Sequence, residues 1–256
     1  MNIFVIMKRT FDTEEKINIK GGKVSGDGAA FIINPYDEYA IEEALKLKEE
    51  HGGEVTVITV GEEESEKELR TALAMGADKA VLISDEDLEN ADQFSTATIL
   101  AGYLKDKAVD IVLAGNVTVD GGSGQVGLRL AEELGISGVT MITKLTVNGE
   151  TATIERDLEG DLEIVEVSLP LLVTCQQGLN EPRYPSLPGI MKAKKKPFET
   201  LELDDLDLDE DDVQAKIKSV EIFLPPVKAA GKVLKGELSQ QVNELISLLK
   251  TEAKVI

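Results

Sequence analysis

What most constrains this chain is an alternation that runs from its first residues to about Ile142. Short, almost unbroken apolar runs take turns with longer amphipathic stretches. NIFVIM (2–7), EVTVITVG (54–61), KAVLIS (79–84), DIVLAG (110–115) and GVTMI (138–142) read as strands. Between them, 37–53, 64–77, 91–107 and 122–135 repeat their apolar residues at helical spacing; Ala40, Ile41, Ala44, Leu45 and Leu47 are the example in the first. Asp37 is the expected N-cap of that first helix, and Gly52 and Gly53 its stop. Strands apolar on both faces, each followed by a helix, predict an α/β fold: a parallel sheet covered by helices on both faces.

From Lys144 the apolar period shortens to two. Turn signals at Asn148–Gly149 and Glu159–Gly160 predict an antiparallel extension that closes the domain near Thr174. After Gln177 the character changes again. Pro182, Pro185, Pro188, Pro197, Pro225 and Pro226 argue against a packed sheet, and an acidic run occupies Glu202 to Asp212. Helices are expected near 211–220 and at 237–250. The last carries Leu238, Val242, Leu245, Ile246 and Leu249 on one side, a stripe that needs a partner surface. The expected division is therefore an α/β domain over 1–182 and an arm over 183–256.

Charge and composition remove several functions. With 48 acidic against 27 basic residues, the net charge of -21 opposes general nucleic-acid binding and docking on anionic membranes. The single cysteine, Cys175, rules out a disulfide within the chain and reads as core packing in an apolar run; a reducing cytoplasm is the expected setting. No apolar window is long enough for a membrane span. The one histidine, His51, falls in a helix's last turn, where a solvated residue favoured by the dipole is the expected reading.

Ligands of open parallel sheets bind at the strands' carboxyl ends. Of these ends, AGNVTVDGGSGQVG (114–127) is the most specific. Gly121, Gly122 and Gly124 permit close backbone approach, a helix opening near Ser123 presents amides to an anion, and Ser123 and Gln125 add side-chain donors. The loop is neither a Walker A motif nor a GxGxxG after the first strand, which disfavours ATP hydrolysis and ordinary dinucleotide dehydrogenase chemistry. Two readings stand: a mononucleotide phosphate cradle, or a plain glycine-rich βα loop. Asp120 is likewise a phosphate-loop orienter or a helix-start residue. No catalytic triad, carboxylate pair or metal cluster emerges, so no catalytic and no metal-binding residue is assigned, and any chemistry must come from a cofactor.

One further segment is unusual. LPGIMKAKKKP (187–197) places Lys192, Lys194, Lys195 and Lys196 beside an apolar run on a strongly acidic chain. Together with the preceding residues it forms GLNEPRYPSLPGIMKAKKKP (178–197). This run closely resembles the signature of the β-subunit of electron transfer flavoproteins. MKRTFDTEEKI (7–17), INPYDEYAIEEALKLKE (33–49), RTALAMGADKA (70–80) and DGGSGQVG (120–127) support the resemblance in the same order and spacing.

The resemblance implies a Rossmann-like fold of the adenine nucleotide α-hydrolase type, and a heterodimer whose α-subunit makes most of the FAD contacts. It implies that this chain holds a structural AMP, with adenosine against Ile6, Asn34, Pro35, Tyr36 and Val60. The phosphate would lie against Asp120, Gly121, Gly122, Ser123, Gly124 and Gln125. Tyr36 matches an aromatic position that approaches the FAD ring, whereas Thr13 stands where some relatives carry a second aromatic. The lysine-rich loop would recognise acyl-CoA dehydrogenases, with Leu187 as anchor, Ile190 and Met191 extending it, and Lys192, Lys194 and Lys195 on the rim. The protein would then be an electron carrier subunit and not an enzyme, passing electrons through FAD to a membrane quinone oxidoreductase, while the arm packs on the α-subunit. An alternative is a bifurcating relative, with a second FAD in place of AMP and NADH as donor. A stand-alone adenine-nucleotide sensor would leave the 180–197 run and the terminal stripe unexplained.

Overall fold

The computed structural model describes every residue except 87, 89, 90 and 229. The chain opens with β1 (Asn2–Ile6), followed by the short strands β2 (Arg9–Phe11), β3 (Asn18–Lys20), β4 (Lys23–Ser25) and β5 (Phe31–Ile33). Helix α1 (Pro35–His51), β6 (Glu54–Val60), α2 (Glu66–Met75), β7 (Lys79–Ile83), α3 (Gln93–Leu104), β8 (Ile111–Gly115) and α4 (Val126–Leu134) then alternate as expected. Next come β9 (Ser137–Asn148), β10 (Thr151–Leu158), β11 (Asp161–Ser168), β12 (Leu171–Cys175), α5 (Leu187–Ala193), β13 (Phe198–Leu201) and α6 (Leu238–Leu248).

Nine strands form one sheet in the order β11-β10-β9-β12-β8-β1-β6-β7-β13. All neighbours from β9 to β13 in that order pair parallel, and β10 pairs antiparallel with both β9 and β11. Alternate residues of each central strand feed opposite core layers, which is why the strands are apolar without interruption. Ile3, Val5, Ile111 and Leu113 pack with α1 and α2, whereas Phe4 and Val112 pack with α3 and α4. The chain moves from β1 outward through β6 and β7, then crosses to β8 on the other side of β1. That reversal places a crevice at the carboxyl ends of β1 and β8.

The two turn signals hold. β9 pairs with β10 up to Asn148 opposite Thr151, and β10 with β11 up to Leu158 opposite Asp161, with Gly149 and Gly160 at positive φ. Several local expectations need correction. Asn34, not Asp37, takes the N-cap position of α1, and Asp37 lies buried in its first turn. Helix α4 begins at Val126 and not near Ser123. The strand expected at 138–142 continues to Asn148, and β12 returns to the parallel sheet between β9 and β8.

The prolines after Gln177 do not exclude regular structure. Pro188 sits in the first turn of α5, where a missing N–H costs nothing. Pro197 directly precedes the edge strand β13 and uses its carbonyl to accept from the Ala80 N–H at 3.1 Å. The helix expected near 211–220 is not formed. Asp209 accepts from the N–H groups of Asp211 and Asp212, and Asp92 from those of Lys216 and Ile217, so side chains replace the helical ladder.

The chain divides into two compact units, Met1–Asn18 with Val24–Val220, and Ile19–Lys23 with Glu221–Ile256. Residues 183–220 thus group with the sheet, so the change of unit lies well beyond 182. In the smaller unit, α6 has no buried residue, and Phe223, Val227 and Leu238 are largely exposed. Among the described residues no helix is long and apolar enough to cross a membrane, and no group of His, Cys, Asp and Glu is arranged to hold a metal ion.

Candidate functional site: a cavity at the strand ends and an exposed helix

A cavity of about 280 Å³ opens at the carboxyl ends of β1, β6 and β8, near the low end of the range for small-ligand sites. Ile6 and Val60 line it, as do Gly121, Ser123, Gly124 and Gln125 from the glycine loop. Asn34, Pro35, Tyr36, Asp120 and Gly122 are not among its lining residues. Three of these shape the site from behind. Asn34 is fully buried; its Nδ2 donates to the Val117 carbonyl at 2.9 Å, and its Oδ1 accepts from the Val119 N–H at 3.1 Å. Its carboxamide therefore holds the loop in place of capping α1. Gly122 turns the loop at φ +62° and donates its N–H to the Thr118 carbonyl at 2.9 Å. Asp120 accepts from Lys8 Nζ at 2.6 Å; burial pushes its pKa up, but the hydrogen bonds from Lys8 and Thr118 outweigh this and hold it below the usual value.

Backbone geometry leaves this cavity ready for an anion. The N-cap of α4, Gln125, makes no side-chain cap bond; its Oε1 accepts from Arg129 instead. The first-turn N–H groups of Val126 and Gly127, both in the cavity wall, have no intrahelical acceptor by helix geometry. Gly124 reaches φ +60°, where a Cβ would press on the Asn116 carbonyl at 3.3 Å. Helix α3 contributes Gln93, Thr96 and Leu100 to the lining. The buried Oε1 of Gln93 has no hydrogen-bond partner among the described residues.

Sequence reading missed the floor of the cavity. Asp37 Oδ2 accepts from the Lys8 N–H at 2.7 Å and Oδ1 from the Gly115 N–H at 2.9 Å, tying the ends of β1 and β8 together. Burial pushes its pKa up to about 7, against hydrogen bonds from Lys8, Asn34 and Gly115. The available signal was Gly115 at a strand end: a Cβ there would collide with Asp37 Oδ1 and with Tyr36 Cβ. Asn116 and Thr174 were also missed; Thr174 Oγ1 donates to Asn116 Oδ1 at 3.0 Å, and Asn116 lines the cavity. Cys175 is fully buried in β12, and burial raises its pKa well above the usual thiol value. His51 ends α1 as an exposed residue.

The apolar half of the lysine-rich segment is the short helix α5, which includes Lys192, and Lys194, Lys195 and Lys196 lie in the turn that follows it. Ser186 caps α5 by accepting from the Gly189 N–H at 3.1 Å. Leu187 and Met191 are 80% and 74% exposed, and Ile190 is 45% exposed, an apolar cluster too bare for a side chain with no partner. Lys192, Lys194 and Lys195 are exposed around it, and only Lys196 is partly covered. Upstream, Arg183 forks onto both oxygens of Glu42 at 2.8 and 2.9 Å and reaches Glu49 at 2.7 Å, which raises its pKa further. Asn180 donates to the Tyr39 carbonyl and to Glu43. These contacts fasten the chain leading into α5 onto α1.

Comparison with known proteins yields a consistent set of likenesses. Residues 22–206 match the model of the electron transfer flavoprotein domain. The chain is 66% identical to electron transfer flavoprotein subunit beta of Bacillus subtilis, with all of both chains covered. It is 41% identical to the protein of the same name from Syntrophomonas wolfei, covering 100% of this chain and 98% of that one. At 38% identity and 98% coverage of both, it is also similar to a subunit of the caffeyl-CoA reductase-Etf complex of Acetobacterium woodii.

Proposed function

Since the chain belongs to the electron transfer flavoprotein β-subunit family, we propose that it serves a flavin-bearing heterodimer as holder of a structural AMP and as docking subunit for acyl-CoA dehydrogenases. Electrons would leave through a membrane quinone oxidoreductase. The FAD, carried mostly by the α-subunit, supplies the redox chemistry when bound. This chain's residues bind, orient and recognise.

The observation that carries the AMP reading is a cavity lined by an uncapped helix N-terminus and by Gln93, whose buried Oε1 has no hydrogen-bond partner among the described residues. In it the phosphate lies against Gly121, Ser123, Gly124, Gln125 and the first turn of α4, with the adenosine against Ile6 and Val60. A neutral carboxyl at Asp37, favoured by its burial, tolerates an anion in the same cavity better than an ionised one. A single anion-ready loop in a cavity of this size also favours a mononucleotide over a second FAD, as a bifurcating relative would need. The docking reading is supported by the bare apolar face of α5 inside a ring of lysines, an anchor-and-rim pattern suited to a brief encounter. The exposed apolar residues of the arm fit a segment that packs on the α-subunit.

The test is to co-express the pair, extract the nucleotides and count them. One FAD and one AMP per heterodimer is the expected result; two FAD would overturn the assignment. In Gly124→Val the branched side chain meets both the positive φ and the cradle, so AMP should be lost. Full retention of AMP would remove the phosphate from this loop.

A further inference from the structure

Resting on the docking reading of α5, we propose that Lys196, together with Gly189, is a positioning residue: it locks α5 onto the C-terminal turn of α2 and presets the pose in which Leu187, Ile190 and Met191 meet a partner. The four lysines of the segment are not equivalent. Lys192, Lys194 and Lys195 are exposed, whereas the Lys196 ammonium turns back onto the protein. Its Nζ donates to the Leu73 carbonyl at 2.9 Å and to the Ala77 carbonyl. Leu73 belongs to the last turn of α2 and Ala77 follows Gly76, the residue that ends the helix. A helix C-terminus leaves carbonyls without intrahelical donors and carries partial negative charge, and an ammonium satisfies both.

Three further contacts join α2 to the segment 189–198. Gly189 lies so close to the Ala74 carbonyl that a Cβ would collide with it. Arg70, on α2, donates to the Ala193 carbonyl at 3.3 Å and stacks its guanidinium 4.3 Å from the Phe198 ring centre. Ala193 is only 3% exposed. Helix α5 has only two turns and would be marginal alone, so its order comes from this seat. Burial lowers the Lys196 pKa, as expected for a cation facing inward.

The test uses the intact heterodimer with a medium-chain acyl-CoA dehydrogenase as probe. Lys196→Met should raise the KM for the dehydrogenase about five- to tenfold, as for a lost charge-assisted hydrogen bond, with kcat at saturation unchanged. The dependence of kcat/KM on salt should keep the wild-type slope, because this charge does not face the partner. Hydrogen exchange of the α5 amides should quicken while that of β1 does not, and Lys196→Arg should restore both readouts. A flattened salt slope, like that of Lys194→Gln with Lys195→Gln, would make Lys196 an ordinary docking charge and overturn the proposal. Unchanged exchange in α5 would overturn it as well. Leu187→Ala serves as the control: if it leaves KM untouched, the docking reading falls and the effect on partner affinity falls with it. The exchange experiment then judges the lock alone.

Discussion

Two helix ends in this molecule are treated in opposite ways. At the N-terminus of α4 the cap residue makes no cap bond, and amides are left open toward a cavity. At the C-terminus of α2, carbonyls that the helix cannot satisfy are taken up by Lys196, and α5 is pressed against the same turn. Unsatisfied backbone at a buried end costs free energy, so it persists where a ligand completes it. Satisfied backbone makes a joint. On the proposed reading the first region depends on a ligand, whereas the second depends on its own side chains.

The sharpest probe of that contrast is pH at the cavity floor. Asp37 is raised from 3.8 to about 7 by burial, so the folded state keeps its proton where the unfolded chain has lost it. A raised carboxyl pKa costs nothing below the unfolded value; stability is lost as pH climbs from about 4 to about 7 and stays lost above. The span is on the order of 4 kcal/mol. The denaturation midpoint of wild type should therefore fall relative to that of the non-titrating Asp37→Asn over that window, and parallel pH profiles would show that Asp37 is not held neutral. Substitutions on α5 should leave this pH dependence as it is.

Next in size is Gly115→Ala. Its methyl group would meet Asp37 Oδ1 and the Tyr36 Cβ, both in the first turn of α1. Overpacking of this kind costs about 3 kcal/mol. Thermal unfolding should show a lower midpoint, with nucleotide content reduced; a normal midpoint with full AMP would mean that the floor is softer than its contacts imply.

On the proposed docking side, Leu187→Ala would remove the burial of one leucine in a partner's pocket, about 1.5–3 kcal/mol. Dehydrogenase-coupled FAD reduction should lose about tenfold or more in kcat/KM, while nucleotide content and unfolding stay at wild-type values. Any loss of AMP in this variant would erase the separation between the two regions. The smallest effect belongs to Lys194→Gln with Lys195→Gln. Exposed charges contribute below about 1 kcal/mol each, so the change should appear as slower association at low salt and vanish as salt rises. Stopped-flow mixing across ionic strength reads this directly.

Much of this architecture was legible because it rests on local pattern. Unbroken apolar strands such as Ile3–Val5 and Ile111–Leu113 are buried on both faces, and their periodicity states as much before any fold is known. The turns at Gly149 and Gly160 need residues that tolerate positive φ, a requirement written in the sequence itself. Glycines 121, 122 and 124 marked the loop that borders the cavity because they permit close backbone approach, and Leu187, Ile190 and Met191 stood out as apolar residues beside lysines.

Residues whose role depends on long-range partners were not legible. Asp37 reads in the sequence as a helix cap, and only the meeting of β1 with β8 turns it into a buried strut for the N–H groups of Lys8 and Gly115. Asn34 looked like a ligand contact, yet it braces a loop more than eighty residues away in sequence, at Val117 and Val119. Lys196 looked like its three neighbours until α2 came to lie beneath it. By itself the sequence determined the layered sheet, its turns and its glycine loop, because apolar period and φ preference act within a few residues. Tertiary structure alone decided which polar groups face a cavity, a carbonyl or solvent, because a hydrogen-bonding group takes whatever partner the fold brings within reach.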